Sequence, residues 1–470
     1  MSRSRLLGLA AAFFVFLFVE ILWIHAFSFG HHQTGDTNVL LAGAQASLDC
    51  VHLGIWRFCP NVAPYPLLQY VPASILLRLG GSETAALIFL ARISVVAFAG
   101  CLGLSWYFFR SRPKIAALAV LSILSSAATY QATSAFGEML AAFVILAALV
   151  SIRTRRPILI FICFALASIS KETIPPFIAM LGLIIGWLDA GKRIPPRRIW
   201  LPLALGVSLG TLANLLFNQF RFGSFRNLPY LDPGLRTPTW KLKGEYFLAE
   251  WFSPVSGLLW FWTIAVLILF AAAFYGLRSF FHDRRSFHLW LPPLLVVGLA
   301  LAFTFGLANW YSPFGWIAYG HRLAVPLFPA LVITALWTIG DQIESALSRL
   351  KGKPVLATFF LMTTVFLSLP QITAPWNWLE GWRAVTVSAS NQQCNDTVSI
   401  QADQTFFYHC VTDALWVDNV NVIKAVVQGG HEPFAGKLLG GSAILLLSLF
   451  IFVPSKDLPK KTSRTEDTTT

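Results

Sequence analysis

The chain has 470 residues, of which 56% are hydrophobic and only 12% charged, and its mean hydropathy is +0.65. A soluble globular chain carries about 25% charged residues, so this composition excludes an ordinary soluble enzyme and an intrinsically disordered chain. The net charge of +13, from 35 Lys and Arg against 22 Asp and Glu, would point a soluble protein toward nucleic acid; here the basic residues follow membrane topology and no nucleic-acid partner is expected.

A helix needs about 20 apolar residues to cross the hydrocarbon core. Runs near 6–28, 84–109, 115–130, 136–152, 157–170, 173–188, 199–220, 254–277, 288–308, 323–341, 354–370 and 437–454 predict about twelve transmembrane helices. The alternation that a membrane β-barrel requires is absent, so the expected class is all-α and polytopic. The first run is long and lacks a small-residue cleavage site before Gly30, which reads as a retained helix rather than a signal peptide. With the N-terminus in the cytoplasm, segments 1–5, 110–114, 153–156, 189–198, 278–286, 342–353 and 455–470 are cytoplasmic and hold 22 of the 35 Lys and Arg residues. The outer segments hold 12, and Arg92 lies within the second span. This asymmetry follows the positive-inside rule and predicts a multi-pass plasma-membrane protein with both termini in the cytoplasm.

Polar residues gather on the outer side, where their cost near a bilayer makes them informative. Loop 29–69 carries HHQTGDTN, with Asp36 close to the boundary where a membrane-bound substrate presents its head group. The same Asp36, standing before NVLLAGAQASL, also suits a helix N-cap; the two roles are compatible. Cys50 and Cys59 fall in this loop, and Cys394 and Cys410 in the last outer segment, 371–436. Two pairs on the oxidising side suit two disulfides, the alternative being four free thiols. The sequon at Asn395 lies on that side too. Glu138 opens the fourth span, and Lys171-Glu172 occupies a tight outer turn between the fifth and sixth. A half-buried Lys–Glu pair is expected there, with interfacial snorkelling as the alternative. Loop 221–253 carries Arg221, Arg226, Arg236, Lys241 and Lys243 against the positive-inside trend, which an anionic ligand explains; its TWKLKGEYFLAEWF stretch is interfacial in character. His321-Arg322 closes the outer loop before the tenth span, placing a guanidinium fork where it can grip a phosphate.

There is no P-loop, no HExxH and no Asp-x-Asp pair to hold a divalent cation, and no GxSxG elbow, since the GVSLG of 206–210 lies inside an apolar run. Adjacent histidines such as His31-His32 rarely point at one ion, so no metal or other cofactor is expected.

Several elements, taken in order, carry a resemblance: Asp36 in TGDTN after the first span, Pro64-Tyr65-Pro66-Leu67 before the second, the Lys171-Glu172 turn, Ser253-Pro254-Val255-Ser256-Gly257-Leu258-Leu259 at the eighth, and Tyr319-Gly320-His321-Arg322 running into Leu323–Pro329. Over about residues 1–340 the chain resembles polytopic glycosyltransferases of the GT-C fold that use polyprenyl-phosphate-linked sugars. His321 stands where Pro is usual and Leu323 where an aromatic is usual. The resemblance implies a GT-C-like catalytic module over 1–370 with outer loops 29–69 and 221–253, a small extracytoplasmic segment at 371–436, and a last helix with a cytoplasmic tail at 437–470. It also implies an outward-facing membrane cavity, reached by a lipid-linked donor and by a glycan, lipid or protein acceptor. The chemistry needs a base on the acceptor hydroxyl, cations on the departing phosphate and exclusion of water. Asp36 is the expected base, with Lys171, Arg322 and His321 on the donor phosphate and Glu138 and Glu172 toward sugar or acceptor hydroxyls. A direct displacement would invert the anomeric centre. A lipid-linked glycan polymerase or ligase would place its key charges in one late loop, yet 371–436 has only Arg383 and Lys424 as basic residues. A flippase or transporter would show internal repeats and ionisable groups at mid-membrane, and only Arg92 fits that.

Overall fold

A computed structural model of the protein describes residues 3–26, 35–55, 58–62, 65–135, 137–191, 196–231, 236–237, 239–253, 257–310, 321–350, 353–373 and 434–452. Among them every regular element is helical, apart from one isolated antiparallel bridge between Arg236 and Trp310. In chain order these are α1 (Arg3–His25), α2 (Gly35–His52), α3 (Leu67–Arg78), α4 (Glu83–Phe108), α5 (Pro113–Leu124), α6 (Ala128–Gln131), α7 (Glu138–Thr154), α8 (Pro157–Ser170) and α9 (Pro175–Asp189). There follow α10 (Arg197–Phe222), α11 (Leu228–Leu231), α12 (Trp240–Phe252), α13 (Leu258–Phe261), α14 (Thr263–His282), α15 (Phe287–Leu307), a 3₁₀ turn (Arg322–Ala324), α16 (Phe328–Arg349), α17 (Pro354–Thr373) and α18 (Phe434–Phe452).

All twelve apolar segments are helical over most of their length, and the protein is a multi-pass membrane protein. By length and composition six helices suffice to cross a membrane: α1, α4, α10, α14, α15 and α18. α5, α8 and α9 are apolar but shorter. The span expected over 115–130 breaks after Leu124: Ser126 N–H donates to Ile123 O at 3.2 Å and Ala127 N–H leaves the ladder for Phe261 O at 2.9 Å, while Ser126 Oγ and Thr129 Oγ1 donate to Ile123 O and Leu124 O. The span expected over 254–277 is likewise divided, into one turn of α13 and then α14.

α5, α7 and the first half of α16 are buried almost all round and form the centre of the bundle. A helix that is apolar on every side belongs inside. α1 packs on α18, α18 on α17 and α5, α10 on α8, and α14 on α15. The expected loop 29–69 holds α2 and the start of α3, and the expected loop 221–253 holds α11 and α12. Cys50, near the end of α2, is bonded to Cys59, whose N–H donates to Phe220 O at 2.8 Å. That ties α2 and the segment leading to Tyr65 onto the end of α10. Cys394, Cys410 and Asn395 lie outside the described residues, as do His31, His32 and Pro64. Within α4, the guanidinium of Arg92 stacks over Trp23 of α1, 5.2 Å from the ring centre.

The α8–α10 contact is set by small residues. Gly206 and Gly210, one turn apart in GVSLG, face α8 as a small-xxx-small pair. A Cβ at Gly210 would lie 2.4 Å from Ala165 O and 2.5 Å from Ser168 Cβ. Backbone on one side leaves no flexible atom to yield, so Gly210→Ala is expected to destabilise by about 1–3 kcal/mol. Gly103→Ala, where nothing lies within 4 Å, is the control. Thermal unfolding in detergent distinguishes them; equal melting temperatures would contradict this packing.

Candidate functional site

The three groups at the centre of the site come from three separate element ends. α7 opens after Gly137, which has φ +83° and so favours glycine; a Cβ there would meet Gln69 Cγ at 2.6 Å. This start places Glu138 in the first turn. Lys171 ends α8, where an extended backbone turns the chain toward the prolines that begin α9. Arg322 opens the 3₁₀ turn before α16. All three line one cavity of about 1000 Å³. Glu138 Oε1 lies 3.8 Å from Lys171 Nζ and 3.5 Å from Arg322 Nε, so a single carboxylate is shared by two cations. Glu138 is 4% exposed, and among the described residues its Oε2 has no hydrogen-bond partner. Burial, and then the Arg322 charge, hold the Lys171 ammonium below the usual lysine range, against the pull of Glu138. A desolvated ammonium whose charge is only partly compensated is a good receptor for an incoming anion.

Beside this cluster runs a neutral amide wall. Thr211, Asn214 and Asn218 fall on one face of α10, with Arg221 continuing the stripe. Asn214 Nδ2 donates to Ser168 O at 2.8 Å and Asn218 Nδ2 to Phe225 O at 3.2 Å. Arg221 is buried between Phe217 and Phe222. It donates to Glu172 Oε1 at 2.6 Å, to Asn218 Oδ1 and to Tyr65 O, and Asn227 Nδ2 also reaches Glu172 Oε1, at 3.1 Å. Glu172 lines the cavity with its charge already balanced. The 3–4 spacing of Thr211, Asn214, Asn218 and Arg221 within an apolar run was the available sequence signal for this wall. Arg226, Arg236 and Lys243 also line the cavity. Arg236 is held over it by the bridge to Trp310 and by Thr237 N–H donating to Asn309 O at 3.0 Å.

His321 is not on the cavity wall. It is fully buried, with Nε2 3.4 Å from Oε2 of Glu250, a residue of α12 that is equally buried. Glu250 drew no attention in the sequence, although a carboxylate inside YFLAEWF is the kind of polar interruption that marks a buried partner. Asp36 lies in the first turn of α2; its side chain is outside the described residues. The structure thus brings Glu138, Lys171, Glu172 and Arg322 to one hollow and sets His321 behind it. Among the described residues no group of three or more His, Cys, Asp or Glu is placed to hold a metal ion. The arrangement can bind an anion between Lys171 and Arg322 and hydroxyl-bearing groups along the amide wall.

No family model matches the chain, and no curated protein matches it. Two crystal structures of ArnT from Cupriavidus metallidurans are similar to it. The one bound to undecaprenyl phosphate is 17% identical with a TM-score of 0.46, over 94% of this chain and 77% of that one. The apo state is 18% identical with a TM-score of 0.47, over 94% and 78%.

Proposed function

We propose that the protein is a membrane glycosyltransferase that moves a sugar from a polyprenyl-phosphate donor to an extracytoplasmic acceptor. The observation that carries this reading is the enclosed carboxylate of Glu138 shared by Lys171 and Arg322 on the wall of a single large cavity. In transfer from a lipid phosphodiester the departing group becomes a phosphate monoester with more negative charge. Cations fixed in a low-dielectric cavity favour that change over the ground state. Lys171 and Arg322 take this role. Asp36 removes the proton of the acceptor hydroxyl, and direct attack inverts the anomeric centre. Glu138 orients the two cations and offers its second oxygen to a hydroxyl. Glu172, held by Arg221 and Asn227, contributes with the neighbouring amides to binding sugar or acceptor. His321 is reassigned from the phosphate to the support of Arg322. The positive-inside pattern and the Cys50–Cys59 disulfide at the cavity end support an outward-facing site.

The test is incubation of purified protein with a panel of polyprenyl-phosphate sugars and a cell-envelope extract supplying glycan, lipid and protein acceptors, following loss of lipid-linked sugar and, separately, binding of bare polyprenyl phosphate. Consumption of at least one donor is expected. A protein that neither consumes any donor nor binds the bare lipid phosphate would end the proposal.

A further inference from the structure

Glu250 and His321 are both fully buried, and their nearest ionisable atoms are 3.4 Å apart. Two charges taken out of water cost several kcal/mol each unless they are compensated. Among the described residues neither oxygen of Glu250 accepts or donates a hydrogen bond. Burial pushes the Glu250 carboxyl well above the usual range and the His321 imidazole down to about 3. Burial thus disfavours the charged form of both groups, which face each other across 3.4 Å. The place of the pair is specific. His321 immediately precedes Arg322 and caps the 3₁₀ turn that aims it. Glu250 sits on α12, the helix that also sends Lys243 to the cavity.

We propose that Glu250 and His321 are positioning residues: a buried latch between α12 and the Arg322 turn that sets the guanidinium against Glu138 in the cavity. This rests on the phosphate-binding role given to Arg322 above. The latch differs from ordinary core packing in that apolar replacements of similar size would keep the fold and lose the aim. Replacement of a buried ionisable pair by packed apolar side chains is often neutral or stabilising.

The experiment compares wild type, Glu250→Gln, Glu250→Leu and the double variant Glu250→Leu/His321→Leu, measuring affinity for bare polyprenyl phosphate in detergent and the melting temperature of the free protein. Glu250→Gln, whose amide can donate to the imidazole, is expected to bind within threefold of wild type. The double variant is expected to melt no lower than wild type and to bind at least tenfold more weakly, and Glu250→Leu to bind weakly too. Wild-type affinity in the double variant overturns the latch. So does weakening in proportion to a fall in melting temperature, which marks a packing role alone. If wild type binds no polyprenyl phosphate, the functional reading itself has failed, and the latch with it.

Discussion

Asp36→Asn is expected to reduce turnover of a lipid-linked sugar donor by a factor of roughly 10²–10⁴ while leaving the melting temperature and the affinity for bare polyprenyl phosphate close to wild type. The size is what a positioned general base contributes. α2 begins at Gly35, so Asp36 lies inside its first turn and not at the N-cap position the sequence suggested. Asn keeps the size and hydrogen-bonding reach of Asp while removing the charge and the basic lone pair. The lost charge at the helix start costs only about 0.3–1 kcal/mol, so the fold should hold. Equal turnover in wild type and Asp36→Asn removes the residue from the mechanism. A base that acts on the acceptor has no contact to lose in the bare lipid phosphate. Binding that fell in step with turnover would instead place Asp36 at the donor.

The distribution of apolar residues along the chain was enough to find the all-helical, membrane-spanning character, because a bilayer demands a long apolar run wherever the chain crosses; among the described residues six helices are long and apolar enough to do so. It was not enough to decide which runs are continuous. At the break after Leu124 the Ala127 N–H turns to Phe261 O, far off in the chain, while hydroxyls such as those of Ser125, Ser126 and Thr129 bind the preceding turn in many unbroken helices. Polar residues confined to one side of the chain made Glu138, Lys171 and Arg322 visible as candidates. Sequence has no way to show that they meet at 3.5–3.8 Å around one oxygen. Partnerships made by tertiary packing were hidden altogether. Arg221 looked like one of five basic groups awaiting an anion, yet it is buried and bound to Glu172, Asn218 and Tyr65. His321 looked like a phosphate ligand beside Arg322 and faces Glu250 of α12 instead. In both cases the deciding partner lies far off in the chain, at a spacing no helix or turn imposes.

The sharing of one carboxylate by two cations has an energetic consequence. Lys171, Arg322 and Glu138 together carry a net charge of +1, which matches one phosphodiester. Hydrogen bonds to charged groups contribute about 1.5–3 kcal/mol, so Lys171→Gln and Arg322→Gln should each weaken binding of bare polyprenyl phosphate by roughly 10- to 150-fold. Each also takes the cluster from +1 to 0 and leaves the surviving cation paired to Glu138 alone. The second substitution takes the cluster from 0 to −1 and leaves Glu138 facing the phosphate unopposed, so the double variant should bind at least as weakly as the product of the singles predicts. A double variant no weaker than either single would mean that the two cations do not share the phosphate and would defeat the shared-cavity mechanism. The alkaline side offers a second check. Burial and Arg322 hold the Lys171 ammonium below the ordinary lysine range, and bound phosphate favours the charged form. Affinity is then full below the depressed pKa and is lost as pH rises through it, earlier than the value of about 10.4 for a free lysine would give. Lys171→Arg, which stays protonated throughout, should abolish that decline even where its altered reach lowers affinity at every pH. A decline that survives in Lys171→Arg would assign the titration to another group and remove the ammonium of Lys171 from the anion site.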